Sequence, residues 1–516
     1  MKYLMRVALV AALGIYGCSD DSDNTGGSGG TAGSGGDGGT GAAGAGGDGG
    51  AGGTGGSTPK GCADIPDTST YIVEGAPATT DEGCTDDNTL DATGDNDQAQ
   101  IIQAILAAGA NGYVCLNPGL YDMGGTIDVT QETNLTIKGL GDSPDDVILE
   151  YADSDGNCRG NQGINVTVDG VTIENMWVRN TCENAVVQRG TDGSVFRKVR
   201  VSWDGTPRTE NGAYGVYPTD CSNTLVEYCQ TQGASDAGVY IGKCDGGTVR
   251  NNVVYENVAG LEVENCLDVD TYDNEIFDNT GGLLALQQDI SGEMQTNSGV
   301  RMYDNVVYCN NRENFAQPGS AVAGIPVGTG GLSFVGNGVE INNNEFTDNW
   351  TLGVALASNI VQCQAEDSDC PPYTEGYDPY TKNIYVHDNL YTNNGTDPQG
   401  LFGDIFMALG FGCDGCPPVP EVVWDGYQER ICNDDSDNPG TQCFENSDCP
   451  NGECLPEFSD ENEAGICLGE DADAAASILV LGDLCGDIGL EFLPLGLCFG
   501  AESSTDQTPF LCEPPQ

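Results

Sequence analysis

Five pairs of asparagines, each pair five residues apart, limit what this chain can fold into more than any other feature. They are Asn252 and Asn257, Asn274 and Asn279, Asn305 and Asn310, Asn344 and Asn349, and Asn389 and Asn394. An apolar residue stands two places after the first member of each pair, and successive pairs are offset by 22, 31, 39 and 45 residues. Insertions therefore grow toward the C-terminus while the repeat persists. Around the pairs run short alternating segments such as Gly238-Val239-Tyr240-Ile241, Gly260-Leu261-Glu262-Val263-Glu264, Gly282-Leu283-Leu284-Ala285-Leu286 and Gly353-Val354-Ala355-Leu356. Alternation of period two is strand patterning, and Asn and Gly tolerate the left-handed backbone angles of tight turns. No unit of this length buries its apolar face alone. Stacking the units in register as a parallel β-helix closes a continuous core and aligns equivalent asparagines in ladders. The expected class is all-β, a parallel β-helix solenoid with an N-terminal capping helix and a Cys-rich C-terminal insertion.

Upstream, residues 97–108 place Ala, Ile and Leu at helical spacing, as a helix covering the open end of a solenoid would. Asn134 to Gly141 reads as an early strand and turn, and weaker coils continue through Val171-Thr172-Ile173 and Val199-Arg200-Val201. These elements resemble the right-handed β-helix, or pectin-lyase-like, superfold, and the resemblance makes the expected parallel β-helix solenoid right-handed. Tyr214-Gly215-Val216-Tyr217-Pro218, Gly233 to Gly238, Asn257 to Asn265, Asn279 to Gly282, Glu313 to Ala316 and Pro509 to Cys512 are similar to a family of exported tandem β-helix repeat proteins, often with lipoprotein signals. The resemblance implies fold and export and carries over no catalytic residues. Tyr214 to Asp220 also resembles a Tyr-Gly-Phe-Asp-Pro-His segment of β-helical alginate epimerases, with Tyr217 and Thr219 standing at its Asp and His places.

Lys2 and Arg6 precede an apolar run that ends in Ile15-Tyr16-Gly17-Cys18, which resembles a bacterial lipoprotein signal. The run is too short to span a bilayer as a mature helix. The resemblance makes residues 1–17 the signal and Cys18 the lipidated residue, anchoring the protein at the bacterial outer membrane or cell surface. Residues 24–58 hold 19 Gly in 35 residues. They have no side chains to build a core, so 18–58 is expected to be a flexible tether, with an r.m.s. reach of roughly 30 Å. The β-helix is assigned to 59–424, a disulfide-stapled insertion to 425–470 and a C-terminal cap segment to 471–516. Apart from Cys18, 22 of the 23 cysteines remain, enough for full pairing in an oxidising compartment. Cys413-Asp414-Gly415-Cys416 has redox-motif spacing without a strand-helix context, which favours a structural disulfide.

With 17 Lys and Arg against 80 Asp and Glu, the formal charge is −63. Nucleic acid is excluded as a partner, and contact with a membrane is expected through the lipid anchor only. The single histidine, His387, occupies the outward repeat position of Arg250 and Tyr272, so multi-His zinc sites and His-dependent triads are excluded. Eight of the 17 cations, Arg179, Arg189, Arg197, Lys198, Arg200, Arg208, Lys243 and Arg250, fall within 72 residues, among Tyr214, Tyr217, Tyr228 and Tyr240.

Residues one coil apart become lateral neighbours, which sets Tyr217, Tyr240 and Glu262 in one outward row, with Glu264 beside Glu262 and near the level of Lys243. Asp236, in the turn before Tyr240, reaches the same groove. Aromatic faces, a few cations and paired carboxylates suit sugar stacking, uronate binding and proton abstraction next to a carboxylate. Lys243, Glu262 and Asp236 are the catalytic candidates; Tyr217, Tyr240, Glu264 and Arg208 are the substrate-binding ones. The expected partner is an acidic polysaccharide or other glycan, bound and, if the protein is an enzyme, cleaved or epimerised in lyase or epimerase fashion. The competing reading is a non-catalytic adhesion or scaffold module. No cofactor is fixed by the sequence. Calcium is the candidate, through Asp153, Asp155 and Asn157 or through Asp434, Asp435 and Asp437.

Overall fold

The computed structural model describes residues 59–288, 297–359, 380–426, 430–432, 454–456, 466–468 and 477–481. The expected signal, Cys18, the tether, Asp434, Asp435, Asp437 and most of the Cys-rich insertion and C-terminal segment lie outside these residues. Parallel strands stack in three ladders around one core. Ladder I has eleven strands, among them Val186–Arg189, Val216–Thr219, Ala237–Gly242, Ala259–Glu264, Gly281–Leu286, Thr329–Phe334, Leu352–Ala357 and Val422–Trp424. Ladder II includes Asp245–Arg250, Leu267–Tyr272, Val300–Tyr303, Asn337–Asn342 and Lys382–His387, and ladder III includes Val253–Tyr255, Glu275–Phe277, Val306–Tyr308, Glu345–Thr347 and Leu390–Thr392. The eight-residue strands Thr172–Arg179 and Val195–Ser202 belong to both of the latter ladders. Val239, Ile241, Val249, Val254, Leu261, Val263, Val269 and Ile276 are fully buried between the ladders.

Both asparagine columns form the expected ladders. Along the first, each Nδ2 donates to the next Oδ1: Asn252 to Asn274 at 2.9 Å, Asn274 to Asn305 at 2.9 Å, Asn305 to Asn344 at 2.9 Å and Asn344 to Asn389 at 3.0 Å. The second runs from Asn257 through Asn279, Asn310 and Asn349 to Asn394, at 2.9 to 3.1 Å. Each receiving Oδ1 also accepts the backbone N–H of the donor, as Asn274 does from Asn252 at 3.0 Å, so a turn that no strand could satisfy is satisfied by the next coil. The residue before each ladder asparagine has positive φ. Asp273, Asp278, Asp304, Asn343 and Asp348 all lie between 52° and 54°. The Asp-Asn or Asn-Asn dipeptide is thus a turn device, its first residue turning the chain and its second pointing inward.

The helix Gln98–Ala108 buries Ile101 and Ile105 over the first coils. Residues 60–84 form a strap running outside ladders II and III, against the direction of stacking. Lys60 meets Glu275 at 2.6 Å, Tyr71 Oη donates to the Tyr228 carbonyl at 2.6 Å, and the Thr80 carbonyl accepts from Lys138 Nζ at 2.8 Å. Disulfides Cys62–Cys309 and Cys84–Cys115 fix its two ends. Cys158–Cys182, Cys221–Cys244 and the expected Cys413–Cys416 bridge are also formed. Full pairing of cysteines is not met: Cys229 and Cys266 are buried free thiols. Each stands at a corner position in a stack of coils. The Cys229 N–H donates to Asn252 Oδ1 at 2.8 Å and the Cys266 N–H to Asn297 Oδ1 at 2.8 Å, so these cysteines fill inward turn sites as small apolar residues.

Candidate functional site

The outer face of ladder I brings the sequence candidates together. Parallel register aligns Val187, Tyr217, Tyr240, Glu262 and Leu284 in one row, and Arg189, Thr219, Gly242, Glu264 and Leu286 in the next. Tyr214, just ahead of the strand, stacks on Tyr217 with ring centroids 4.3 Å apart and planes 8° apart. Tyr240 tilts against both, at 5.0 and 4.9 Å. Gly242 permits this packing, because a Cβ there would lie 2.1 Å from Tyr240 Oη. The ring of Tyr240 folds back over its own strand, and its hydroxyl reaches Glu264 on the adjoining coil.

Three carboxyl groups border the tyrosines. Asp236 is hydrogen-bonded by Tyr214, and Glu264 by both Tyr240 and Glu262. Asp236 is 6% exposed, Glu262 1% and Glu264 5%. Burial raises the Asp236 carboxyl well above the ordinary carboxylate range, and the neighbouring charge of Glu264 pushes it further. Glu264 is raised by burial too, against the opposing effects of its hydrogen bonds and of Lys243. Two carboxyls that hydrogen-bond to each other require a proton on one of them. The cluster therefore retains acid protons where a solvated carboxylate has lost its own. Tyr214 and Tyr240 are pushed up by the same burial and negative charge.

Lys243 sits at the corner after Gly242 with φ 51°, and its backbone N–H donates to the Glu264 carbonyl at 2.8 Å. It shares an open concavity with Asp169, Asp192, Asp220 and Ser222. Arg189 is exposed at the end of the second row. Neither cation has an ion pair or side-chain hydrogen bond among the described residues. The rest of the basic cluster lies elsewhere, which corrects the expectation that it lines the tyrosine groove. Arg179 pairs with Glu150, Arg197 and Arg250 with Glu227, and Arg200 with Asp145, all on the outer faces of ladders II and III or under the strap. Tyr228 belongs with the strap as well. Arg208 stands on an exposed loop, where it meets Glu210 at 4.0 Å and the Asp204 carbonyl at 3.4 Å. Asp153 closes its own turn by accepting the N–H groups of Asp155 and Asn157, each at 2.9 Å. Among the described residues no three His, Cys, Asp or Glu side chains converge as a metal site requires. His387 stacks on Tyr385 at 3.8 Å and meets Glu340 at 3.0 Å, on the outward row expected for it.

Beyond Glu262 and Glu264 the rows turn apolar within one coil, at Leu284 and Leu286. The segment between Tyr308 and Thr329 folds over this part of the face and packs Phe315, Ala316, Val322 and Ile325 against it. Asn314 holds the fold-over by donating to the carbonyls of Val322 at 3.0 Å and Ile325 at 3.1 Å. The sequence reading gave Tyr214 and Arg189 no role at the site, although the period that places Tyr240 beside Tyr217 also places Arg189 two coils before Gly242.

The profile described as "Right handed beta helix region" matches residues 154–291 and 192–371. No curated protein matches the sequence significantly. Among solved structures, the chain is similar to the A-module of the Azotobacter vinelandii mannuronan C-5 epimerase AlgE6, at 17% identity and TM-score 0.42, over 65% of this chain and 88% of that one. It is also similar to the catalytic unit of a Streptomyces thermodiastaticus GH87 α-1,3-glucanase, at 17% identity and TM-score 0.38, over 66% of this chain and 49% of that one. An Aspergillus niger pectin methylesterase aligns at 12% identity and TM-score 0.33, over 63% of this chain and 91% of that one. By its stacked coils the chain folds as a right-handed parallel β-helix, and residues 154–371 match the profile of that name.

Proposed function

We propose that this protein binds an acidic polysaccharide along the outer face of ladder I and cleaves or epimerises it there. The observation that carries this reading is the meeting of three packed tyrosines with the buried carboxyl cluster of Asp236, Glu262 and Glu264, edged by Arg189 and Lys243, which have no ion pair among the described residues. Aromatic rings supply faces and edges for sugar rings, and a cation neutralises a uronate carboxylate so that the adjacent C–H proton becomes removable. Lys243 is the residue proposed to meet that proton or that carboxylate. Asp236 and the Glu262–Glu264 pair exchange protons with the sugar once it displaces the groups that bury them. The chain is further proposed to be held at the bacterial surface through Cys18. Glycan-array binding, followed by ultraviolet detection of an unsaturated uronate product and by proton-exchange analysis for epimerisation, tests the activity. Tyr240→Ala and Glu262→Ala should each abolish binding, and parent-like binding and turnover by both variants would refute the assignment. Metabolic labelling with palmitate, lost in Cys18→Ala, tests the anchor.

A second reading, a non-catalytic scaffold, is favoured by the burial of Glu262 and Glu264. It predicts that Glu262→Gln lowers or raises the melting temperature without altering any glycan binding.

A further inference from the structure

The polarity switch on ladder I has a counterpart in space. Past Glu264, a pocket is floored by Leu286, Leu332, Phe334, Ala355, Ala357 and Val423, all on strands of ladder I. Its walls come from two different insertions: Ile325 and Pro326 from the fold-over, and Phe402 and Phe406 from the helix Gly400–Ala408. The lining is almost wholly apolar, with Asp425 at its far end. One oxygen of that carboxylate accepts both the N–H and the hydroxyl of Ser358, each at 2.6 Å. Its lining residues run along the stacking direction from the Leu286 coil to the coil of Leu481. Four steps between adjacent parallel strands amount to roughly 19 Å.

The floor of this pocket continues the row that carries the carboxyl cluster. Glu264 pairs in register with Leu286, so the polar site and the apolar slot adjoin with no intervening coil. A ligand lying along the axis passes from tyrosines, carboxyls and cations into a walled apolar slot. A plain polysaccharide has no group for the second half. From this continuity we propose that the ligand is an acylated glycan, its sugar on the tyrosine and carboxyl face and its acyl chain in the slot. This rests on the glycan reading of the adjoining face, and a linear acyl chain is an apolar substituent that an apolar slot spanning several coils accepts.

The full chain should be titrated with the fluorescent fatty acid cis-parinaric acid, displaced by lauric acid, and separately with an oligosaccharide bearing or lacking a lauroyl group. The proposal expects one saturable acyl site, and an affinity for the lauroylated oligosaccharide at least tenfold above that for the unmodified one. Ala355→Trp, which fills the floor, should weaken acyl binding at least tenfold at unchanged melting temperature. Should that variant fail to fold, Phe402→Ala, which removes one wall, should shift preference from lauric toward the longer palmitic acid. Absence of saturable acyl binding, or lauric-acid binding unchanged in folded Ala355→Trp, overturns the proposal. Binding of the bare oligosaccharide without acyl binding overturns it while leaving the glycan reading intact. Acyl binding with no binding of either oligosaccharide overturns the glycan reading and the joint ligand with it.

Discussion

Asn274 and Asn305 lie 31 residues apart in a solenoid whose tightest repeat is 22, yet the amide of the first donates to the carbonyl oxygen of the second at 2.9 Å. The longer offset does not displace the turn. Asn305 also accepts the Asn274 backbone N–H at 3.1 Å and donates to the Thr271 carbonyl at 3.0 Å. Asn305→Ala strands these buried groups and should cost about 2–4 kcal/mol, read as a lower urea midpoint. A loss no larger than that of an exposed control such as Asn383→Ala would show the ladder to be dispensable.

The strap depends on its bridges. Replacing Cys62 and Cys309 together by Ala releases a constraint spanning 247 residues, worth up to ~5 kcal/mol by chain entropy, with less observed if the coils open locally. Limited proteolysis should then cut within 60–84 while the coils stay intact. Equal resistance of parent and variant would mean that hydrogen bonds alone hold the strap.

For Asp236 the direction of pH dependence follows from proton counts. Its folded carboxyl is raised, so between the ordinary range near 4 and the raised folded value the folded state holds more protons than the unfolded one. This group's contribution to stability therefore falls as pH rises through that window and stays unfavourable above it. Asp236→Asn should raise the melting temperature at neutral pH, by roughly 2 °C or more, and leave it nearly unchanged below pH about 4. A melting difference independent of pH would contradict the retained proton.

Arg189 and Lys243 predict the ligand's charge. Arg189→Ala with Lys243→Ala should weaken uronate-glycan binding at least tenfold and flatten its salt dependence, while a neutral glycan of equal length is unaffected. Equal losses for both glycans would assign the two cations a structural role.

The coils were legible because asparagine at a fixed spacing can be satisfied in bulk only by another asparagine one coil away. The same periodicity placed Tyr217, Tyr240, Glu262 and Glu264 on one face. It was silent about depth. Whether Glu262 faces solvent depends on what folds over its coil, and the fold-over between Tyr308 and Thr329 carries no repeat of its own. The basic cluster misled for a related reason. Nearness in sequence within a solenoid spreads side chains around three faces, so Arg197 and Arg250 found Glu227, and Arg200 found Asp145 in the turn at 144–146, instead of the tyrosines on ladder I. Cys229 and Cys266 show that an even cysteine count does not decide pairing when an inward corner accepts a thiol as readily as an amide.

The strap also decides how a pull is felt. Its first residues are welded to the coil of Cys309, deep in the stack, and its last to the coil of Cys115 near the capped end. Tension arriving through the chain ahead of Lys60 enters covalently at mid-solenoid, not at a terminal coil that could unzip rung by rung. The coils between the welds are loaded together, in shear, so such a pull has to break many hydrogen bonds at once.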